Sequence, residues 1–261
     1  MVGYDRRLGT GPGGGCRPAG VLFDLGNTLV AYWERAEWPE VLRSGIERAM
    51  RFVEAEGQLR LSTASIWQRV EAHQQERAGH RVYPLQERLA GVFQLDDADP
   101  TLLAGACVAF MAPLFARGRV YADVRPTLAR LRRGGIKTAI VSNSPWGSPA
   151  LLWRGEIERL GLRQQVDADV FCGDVGWRKP ARPIFERALQ ALQVPPERCL
   201  FVGDDPRWDL AGPRALGMRA LLIDRMGKAA CPDELPIRSL DELWVRIEVN
   251  LGEGDGSQRP G

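Results

Sequence analysis

Lysine is almost missing from this 261-residue chain: Lys137, Lys179 and Lys228 are the only three, and arginine carries the rest of the positive charge. Each lysine must therefore be accounted for singly. Histidine is scarcer still, with only His73 and His80, and neither sits beside a carboxylate or cysteine pattern that would make it a metal ligand. The five cysteines, Cys16, Cys107, Cys172, Cys199 and Cys231, stand apart with no CxxC pair. That spacing excludes a zinc-ribbon pattern and argues against a disulfide framework, and it suits the reducing cytoplasm. The longest apolar stretch, Leu102 to Ala116, is interrupted by Gly105 and Pro113. It falls short of the roughly 20 residues a bilayer needs and reads as a buried helix broken near Pro113. Residues 1–20 lack the apolar centre of a signal peptide. Charge is nearly balanced, 35 basic against 33 acidic residues for a net +2, which gives no electrostatic case for a nucleic-acid or membrane partner.

What is present is a regular alternation. From Val120 onward, helices are expected at Val124–Arg133, Pro149–Leu160, Pro183–Leu192 and Leu210–Leu216. Between them fall apolar strands at Ile136–Ser142, Val170–Gly173, Cys199–Val202 and Ala220–Ile223, and Val21–Asp24 reads as one more. Strands alternating with helices of this length predict an α/β fold, a doubly wound parallel sheet covered on both faces. Residues 31–119 differ in character. Leu42, Ile46, Ala49, Met50 and Val53, then Ile66 and Val70, recur at helical spacing with no strand signal. The predicted organisation is a flexible tail over 1–19, a core formed by 20–30 and 120–250, a helical lobe over 31–119, and a second tail over 251–261. Gly11-Pro12-Gly13-Gly14-Gly15 belongs to the first tail, because no GK[ST] follows to make it a phosphate loop.

Four short motifs fall at predicted strand-to-helix junctions: Asp24-Leu25-Gly26-Asn27-Thr28, Ser142-Asn143, Lys179-Pro180, and Gly203-Asp204-Asp205 with Asp209. Taken singly each is ordinary. An aspartate after a strand is usually a turn or a cap, and Lys-Pro suits a helix start. In this order, on loops that meet at the carboxyl edge of a parallel sheet, they resemble the four motifs of the haloacid dehalogenase superfamily. The resemblance extends over residues 20–250, with 31–119 matching the family's helical cap in architecture.

The resemblance implies a Mg²⁺-dependent hydrolase acting on a small phosphorylated metabolite. Asp24 would be the nucleophile that becomes an aspartyl-phosphate. Asp204, the backbone carbonyl of Gly26, and Asp209 would serve the metal, with Asp209 holding either a metal-bound water or Lys179. Ser142, the Asn143 backbone and Lys179 would bind the phosphate, and Thr28 would orient the nucleophile or bind phosphate. Trp146 and Arg178 are expected to touch substrate because each neighbours one of these residues. Trp33, Trp38, Trp67 and Trp153 are expected in the core or at the lobe interface, and Arg43, Arg48 and Arg51 on a solvated face.

One position departs from the family pattern. The usual motif is DxDGT, and Gly26 stands where the second aspartate protonates the leaving group. A phosphatase then persists on good leaving groups such as anomeric phosphates, or borrows a carboxylate from Asp174, Glu34 or Glu37. A phosphonatase would need a lobe lysine, and residues 30–119 contain none. A 2-haloacid dehalogenase would lack the acidic pair Asp204 and Asp209. The rival from another class is an impaired relative that binds a phosphorylated ligand or partner without turnover.

Overall fold

The computed structural model describes residues 17–74, 78–95, 99–227 and 235–252. Cys16, Cys231, Lys228 and the tail segments 1–16 and 253–261 lie outside the described residues. Five strands form a single parallel sheet: β1 (Gly20–Phe23), β4 (Lys137–Ser142), β5 (Ala168–Phe171), β6 (Cys199–Gly203) and β7 (Arg219–Leu222). Their order is β5-β4-β1-β6-β7, so the winding reverses at β1. A crevice opens at such a reversal, beyond the carboxyl ends of the strands. Asp24 is the first residue past β1 and Asp204 the first past its neighbour β6.

Alternation in β1 explains why it is central. Val21 and Phe23 join the apolar cluster on one face while Leu22 joins the cluster on the other, and all three are fully buried. Side chains of a strand point alternately to opposite faces, so a continuous apolar run marks burial on both. Each contributes about 1.5–3 kcal/mol. Helix α8 (Arg182–Leu192) packs on β4 and β5 through Ile184, Phe185, Ala188, Leu189 and Leu192, a helical repeat that starts after Pro183 and ends at left-handed Gln193. Helix α5 (Val124–Arg133) packs on β4.

The segment between β1 and β4 carries α1 (Trp38–Ala55), α2 (Thr63–Ala72), α3 (Leu85–Phe93) and α4 (Pro100–Phe115). Helices α1 and α4 pack on each other, and their buried residues belong to the same apolar cluster as Val21 and Phe23. Two-residue strands β2 (Val30–Ala31) and β3 (Arg119–Val120) pair antiparallel where the chain leaves and re-enters the core, a ribbon the sequence did not signal. No break occurs at Pro113. The proline lies in the last turn of α4, so its missing N–H removes a single bond near an end that is about to fray. Arg17 to Ala19, expected in the tail, already belong to the core: Ala19 donates to Arg198 and accepts from Lys137. Likewise the final helix runs to Gly252, two residues into the expected second tail. Strand β5 lies two residues earlier than expected, and Cys172–Val175 form a helical turn, α7.

The lobe does not simply stand above the sheet. Residues 80–82 cross to the loop that precedes Lys179: Val82 N donates to Gly176, Arg178 N donates to His80, and Arg81 lies 4.1 Å over the Trp177 ring. A second contact holds the loop after β4. Trp146 stacks on Phe110 of α4 at 5.6 Å and 4°, and a Cβ at Gly147 would fall 2.1 Å from the Tyr83 carbonyl oxygen. Only glycine allows that approach, and its φ of 68° requires the same residue type.

Candidate active site

Strand ends and loops gather Asp24, Gly26, Ser142, Asn143, Lys179, Asp204 and Asp209 around one cavity of about 300 Å³. Lys179 is its hub. The ammonium, 2% exposed, donates to Asp24 Oδ1 at 2.6 Å and to Asp209 Oδ1 at 2.7 Å. Ser142 Oγ donates to the same Asp24 Oδ1 at 3.2 Å. Asp209 Oδ2 accepts from the Asp205 N–H at 3.0 Å, so both of its oxygens are held by the protein. That arrangement follows from local chemistry. Asp205 caps the short helix α9 (Pro206–Asp209), whose single turn swings Asp209 back over Gly203, where an added Cβ would sit 2.3 Å from its carboxyl.

Three carboxylates, Asp24, Asp204 and Asp209, each offer an oxygen within 4.8 Å of the others. One lysine balances them, leaving excess negative charge in a buried place. Burial pushes the Asp204 carboxyl well up, and Asp24 and Asp209 push it further. Asp209 is raised in the same way by burial, with Lys179 pulling against it. Burial alone would lower the Lys179 ammonium, but Asp209 and Asp24 outweigh it and hold it above its ordinary value, so it stays charged. A hard divalent cation with oxygen ligands relieves this repulsion, and the donor set fits Mg²⁺.

The remaining expected residues are placed differently. The Asn143 side chain is committed to the Lys179 main chain, accepting from its N–H at 2.8 Å and donating to its carbonyl at 3.3 Å. What Asn143 can offer a phosphate is therefore its backbone. Thr28 does not line the cavity, and its buried hydroxyl has no hydrogen-bond partner among the described residues. Its carbonyl instead takes two hydrogen bonds from Arg225, at 2.7 and 3.0 Å. Trp146 is 5% exposed, stacked on Phe110 with Arg88 5.3 Å over its ring, and is a packing residue. Arg178 does not line the cavity, and its guanidinium lies 5.8 Å from the ring of Trp208, which does. No borrowed acid emerges. Asp174 accepts from Arg154 and the Phe171 N–H, and Glu37 accepts from Arg117 and the Glu34 N–H. None of Asp174, Glu34 or Glu37 lines the cavity.

Sequence reading missed the walls. Trp33, Arg35, Trp38, Arg207 and Trp208 line the cavity. Adjacency held the signal: Arg207-Trp208 follow the acidic motif directly, and Trp33 to Trp38 follow the turn after Asp24. In that turn Asn27 takes a left-handed φ of 55° and donates its side-chain amide to the Trp33 carbonyl, fixing where the first wall begins.

Arg225 also ties this turn to the far side of the core. It forms an ion pair with Asp123 at 2.8 Å, both side chains being 8% exposed, and Asp123 further accepts from Ser239 and the Leu240 N–H. Burial pushes the Asp123 carboxyl up, but hydrogen bonds from Arg225, Leu240 and Ser239 outweigh it and hold the group below its ordinary value. Asp123→Ala is expected to lower stability by about 3–5 kcal/mol, the range for breaking a buried pair. With a folded pKa below the unfolded value of about 3.9, the wild-type contribution is complete above that pH and lost as pH falls through the folded value. Denaturant melts should therefore show wild-type stability falling faster than that of the variant below about pH 4; parallel curves would contradict this role.

Comparison with known proteins identifies the family. The haloacid dehalogenase-like hydrolase family model matches residues 18–217. A glyceraldehyde 3-phosphate phosphatase of Methanopyrus kandleri is 33% identical over 207 residues, covering 78% of this chain and 83% of the relative. A phosphoserine phosphatase of Thermus thermophilus is 34% identical over 147 residues, 55% of this chain and 56% of the relative. Among solved structures, a phosphatase of the family from Thermococcus onnurineus superposes with a TM-score of 0.58 at 25% identity, covering 86% of this chain and 95% of that one. A 2-haloacid dehalogenase from Pseudomonas syringae shares the fold, with a TM-score of 0.66 at 22% identity over 88% and 97% of the two chains. The chain belongs to the haloacid dehalogenase-like hydrolases.

Proposed function

We propose that this hydrolase is a Mg²⁺-dependent phosphatase of small phosphomonoesters that works through an aspartyl-phosphate on Asp24. The observation that carries the reading is Asp24 itself: its Oδ1 is shared by Lys179 and Ser142, and an oxygen of Asp204 from the adjacent strand lies within 4.8 Å. The names of the relatives, phosphatases of glyceraldehyde 3-phosphate and phosphoserine, support a small phosphorylated substrate, and a cavity of about 300 Å³ suits one.

Asp24 attacks phosphorus, splitting one hard displacement into two easier ones. Lys179 and Ser142 hold the carboxylate in line, and Lys179 sets a fixed positive charge beside the transferring group in a site largely cut off from water. Asp209 holds Lys179 in that place. Asp204, with Asp24 and the Gly26 carbonyl, would hold Mg²⁺, which supplies charge neutralisation for carboxylate and phosphate oxygens. The cysteines among the described residues, Cys107, Cys172 and Cys199, are buried free thiols, which supports a reducing, cytoplasmic setting. No helix among the described residues is long and apolar enough to cross a membrane.

Gly26 favours a second reading, a protein that binds a phosphorylated ligand without turning it over. Phosphate release with Mg²⁺ from p-nitrophenyl phosphate and a panel of small phosphomonoesters separates the two: release supports the phosphatase, and thermal stabilisation by the panel without release supports the binder. The metal reading has its own readout. Mg²⁺ at 100 times its dissociation constant is expected to stabilise the fold by about 2.7 kcal/mol. Asp204→Asn should remove most of that stabilisation, and an unchanged response in the variant would take Asp204 out of the metal site.

A further inference from the structure

Resting on the phosphatase reading, the cavity holds enough detail to narrow the substrate. Three features converge on it. The first is the place where an acid is missing. A Cβ added at Gly26 would meet nothing nearer than Tyr32 Cδ2 at 4.0 Å, and the backbone there is not left-handed, so the position is open rather than filled by a substitute.

The second feature is that, among the described residues, the carboxylates lining the cavity are already engaged. Of the carboxylates lining the cavity, Asp24 and Asp209 are bound to Lys179, Asp205 is paired with Arg207, and Asp204 is the metal ligand of the phosphatase reading. Lys179 donates to two carboxylates, Asp24 and Asp209. The Tyr32 hydroxyl donates to Glu156, at 3.3 Å. Among the described residues that line the cavity, none is left to hand a proton to a departing alkoxide, which is a strong base. A leaving group that is a weak base departs without one.

The third feature is the wall. Three of the chain's eight tryptophans, Trp33, Trp38 and Trp208, line this one cavity. Trp33 and Trp38 lie 5.8 Å apart at 38°, forming one aromatic corner. Trp208 is held by Arg207 on its ring at 5.2 Å and by His80 edge-on at 6.0 Å. The indole surface that these contacts leave towards the cavity offers stacked or edge-to-face partners to a planar ring.

We infer that the physiological substrate is an aryl phosphate, a phosphate ester whose leaving oxygen is carried by an aromatic ring seated among Trp33, Trp38 and Trp208. The chemistry balances without an acid. Asp24 forms the new P–O bond, the bond from phosphorus to the aryl oxygen breaks, and the aryl oxide leaves with the electron pair and takes its proton from solvent. Water then attacks phosphorus, the Asp24–phosphorus bond breaks, and inorganic phosphate leaves with the carboxylate restored.

The test is a series of kcat/KM values with Mg²⁺ for substituted phenyl phosphates, glyceraldehyde 3-phosphate, phosphoserine, glucose 1-phosphate and acetyl phosphate. Wild type should prefer p-nitrophenyl phosphate over the alkyl phosphates by at least about 10²-fold, the lower bound of what a positioned acid contributes. Acetyl phosphate supplies a weak-base leaving group with no ring. Trp208→Ala should raise KM for the phenyl series about fivefold more than for acetyl phosphate. Glucose 1-phosphate or an alkyl phosphate matching the aryl series would overturn the inference while leaving an Asp24-dependent phosphatase intact, as would an equal loss on both substrates in Trp208→Ala. Absence of any Asp24-dependent release would remove the phosphatase reading, and this inference with it.

Discussion

Asp24→Asn is expected to abolish phosphate release, by at least about 10⁴-fold, because the amide cannot form the covalent intermediate and no neighbouring carboxylate can replace it. Asp209 has both oxygens bound, and Asp205 is paired with Arg207. The loss should come without unfolding. The variant removes one negative charge from a cluster of three that share a single lysine, and Lys179 keeps Asp209 as its partner. Melting temperature should stay level or rise while turnover disappears. A variant that retained a tenth of the activity would show that Asp24 is not the nucleophile.

Gly26→Asp has the opposite sign. The Cβ of the new side chain enters open space, with Tyr32 Cδ2 nearest at 4.0 Å. Its carboxyl then stands beside the leaving oxygen, and a positioned acid/base contributes about 10²–10⁴-fold. The gain should appear in kcat/KM for alkyl phosphates such as glyceraldehyde 3-phosphate, and far less for p-nitrophenyl phosphate, whose leaving group needs no proton. Because the same group would activate the water in the second step, kcat should rise for all substrates if breakdown of the phosphorylated enzyme limits the wild type. Steady-state kinetics on one alkyl and one aryl substrate checks both effects. Equal values for wild type and variant on the alkyl phosphate would mean that proton transfer is handled by a group outside this cavity.

The sheet and the loops that line the cavity were legible because both are written in local patterns. Helix α5 lies where Val124–Arg133 predicted it, and the apolar runs that precede Asp24, Ser142 and Asp204 are buried strands. Topology alone then brings their ends together. Spacing also placed Asp209, since one turn of helix returns it to Lys179. Side-chain direction was not legible. Trp146 follows Asn143 by three residues, yet its backbone lies in the left-handed region at φ 53° and its ring stacks on Phe110 instead of reaching the cavity. Trp33 and Trp38 have the composition of core residues, and only the turn held by Asn27 reveals that they face the site. The crossing of residues 80–82 to the loop before Lys179 was invisible for another reason. It rests on backbone hydrogen bonds between segments nearly a hundred residues apart, which no periodicity encodes. Gly26 departs visibly from the family motif, but whether its place was filled or open depended on the neighbours of a Cβ that the chain does not have.

The most direct test of the mechanism is capture of the phosphorylated enzyme. Without a base at position 26 to activate water, the intermediate should accumulate during turnover of p-nitrophenyl phosphate with Mg²⁺. Acid quench followed by borohydride reduction and peptide mapping converts an acyl phosphate to the alcohol and so marks the residue that carried it. The expected result is homoserine at position 24 in the wild-type protein, and none in Asp24→Asn. Turnover with an unmodified residue 24, or with the mark on another carboxylate, would contradict the account.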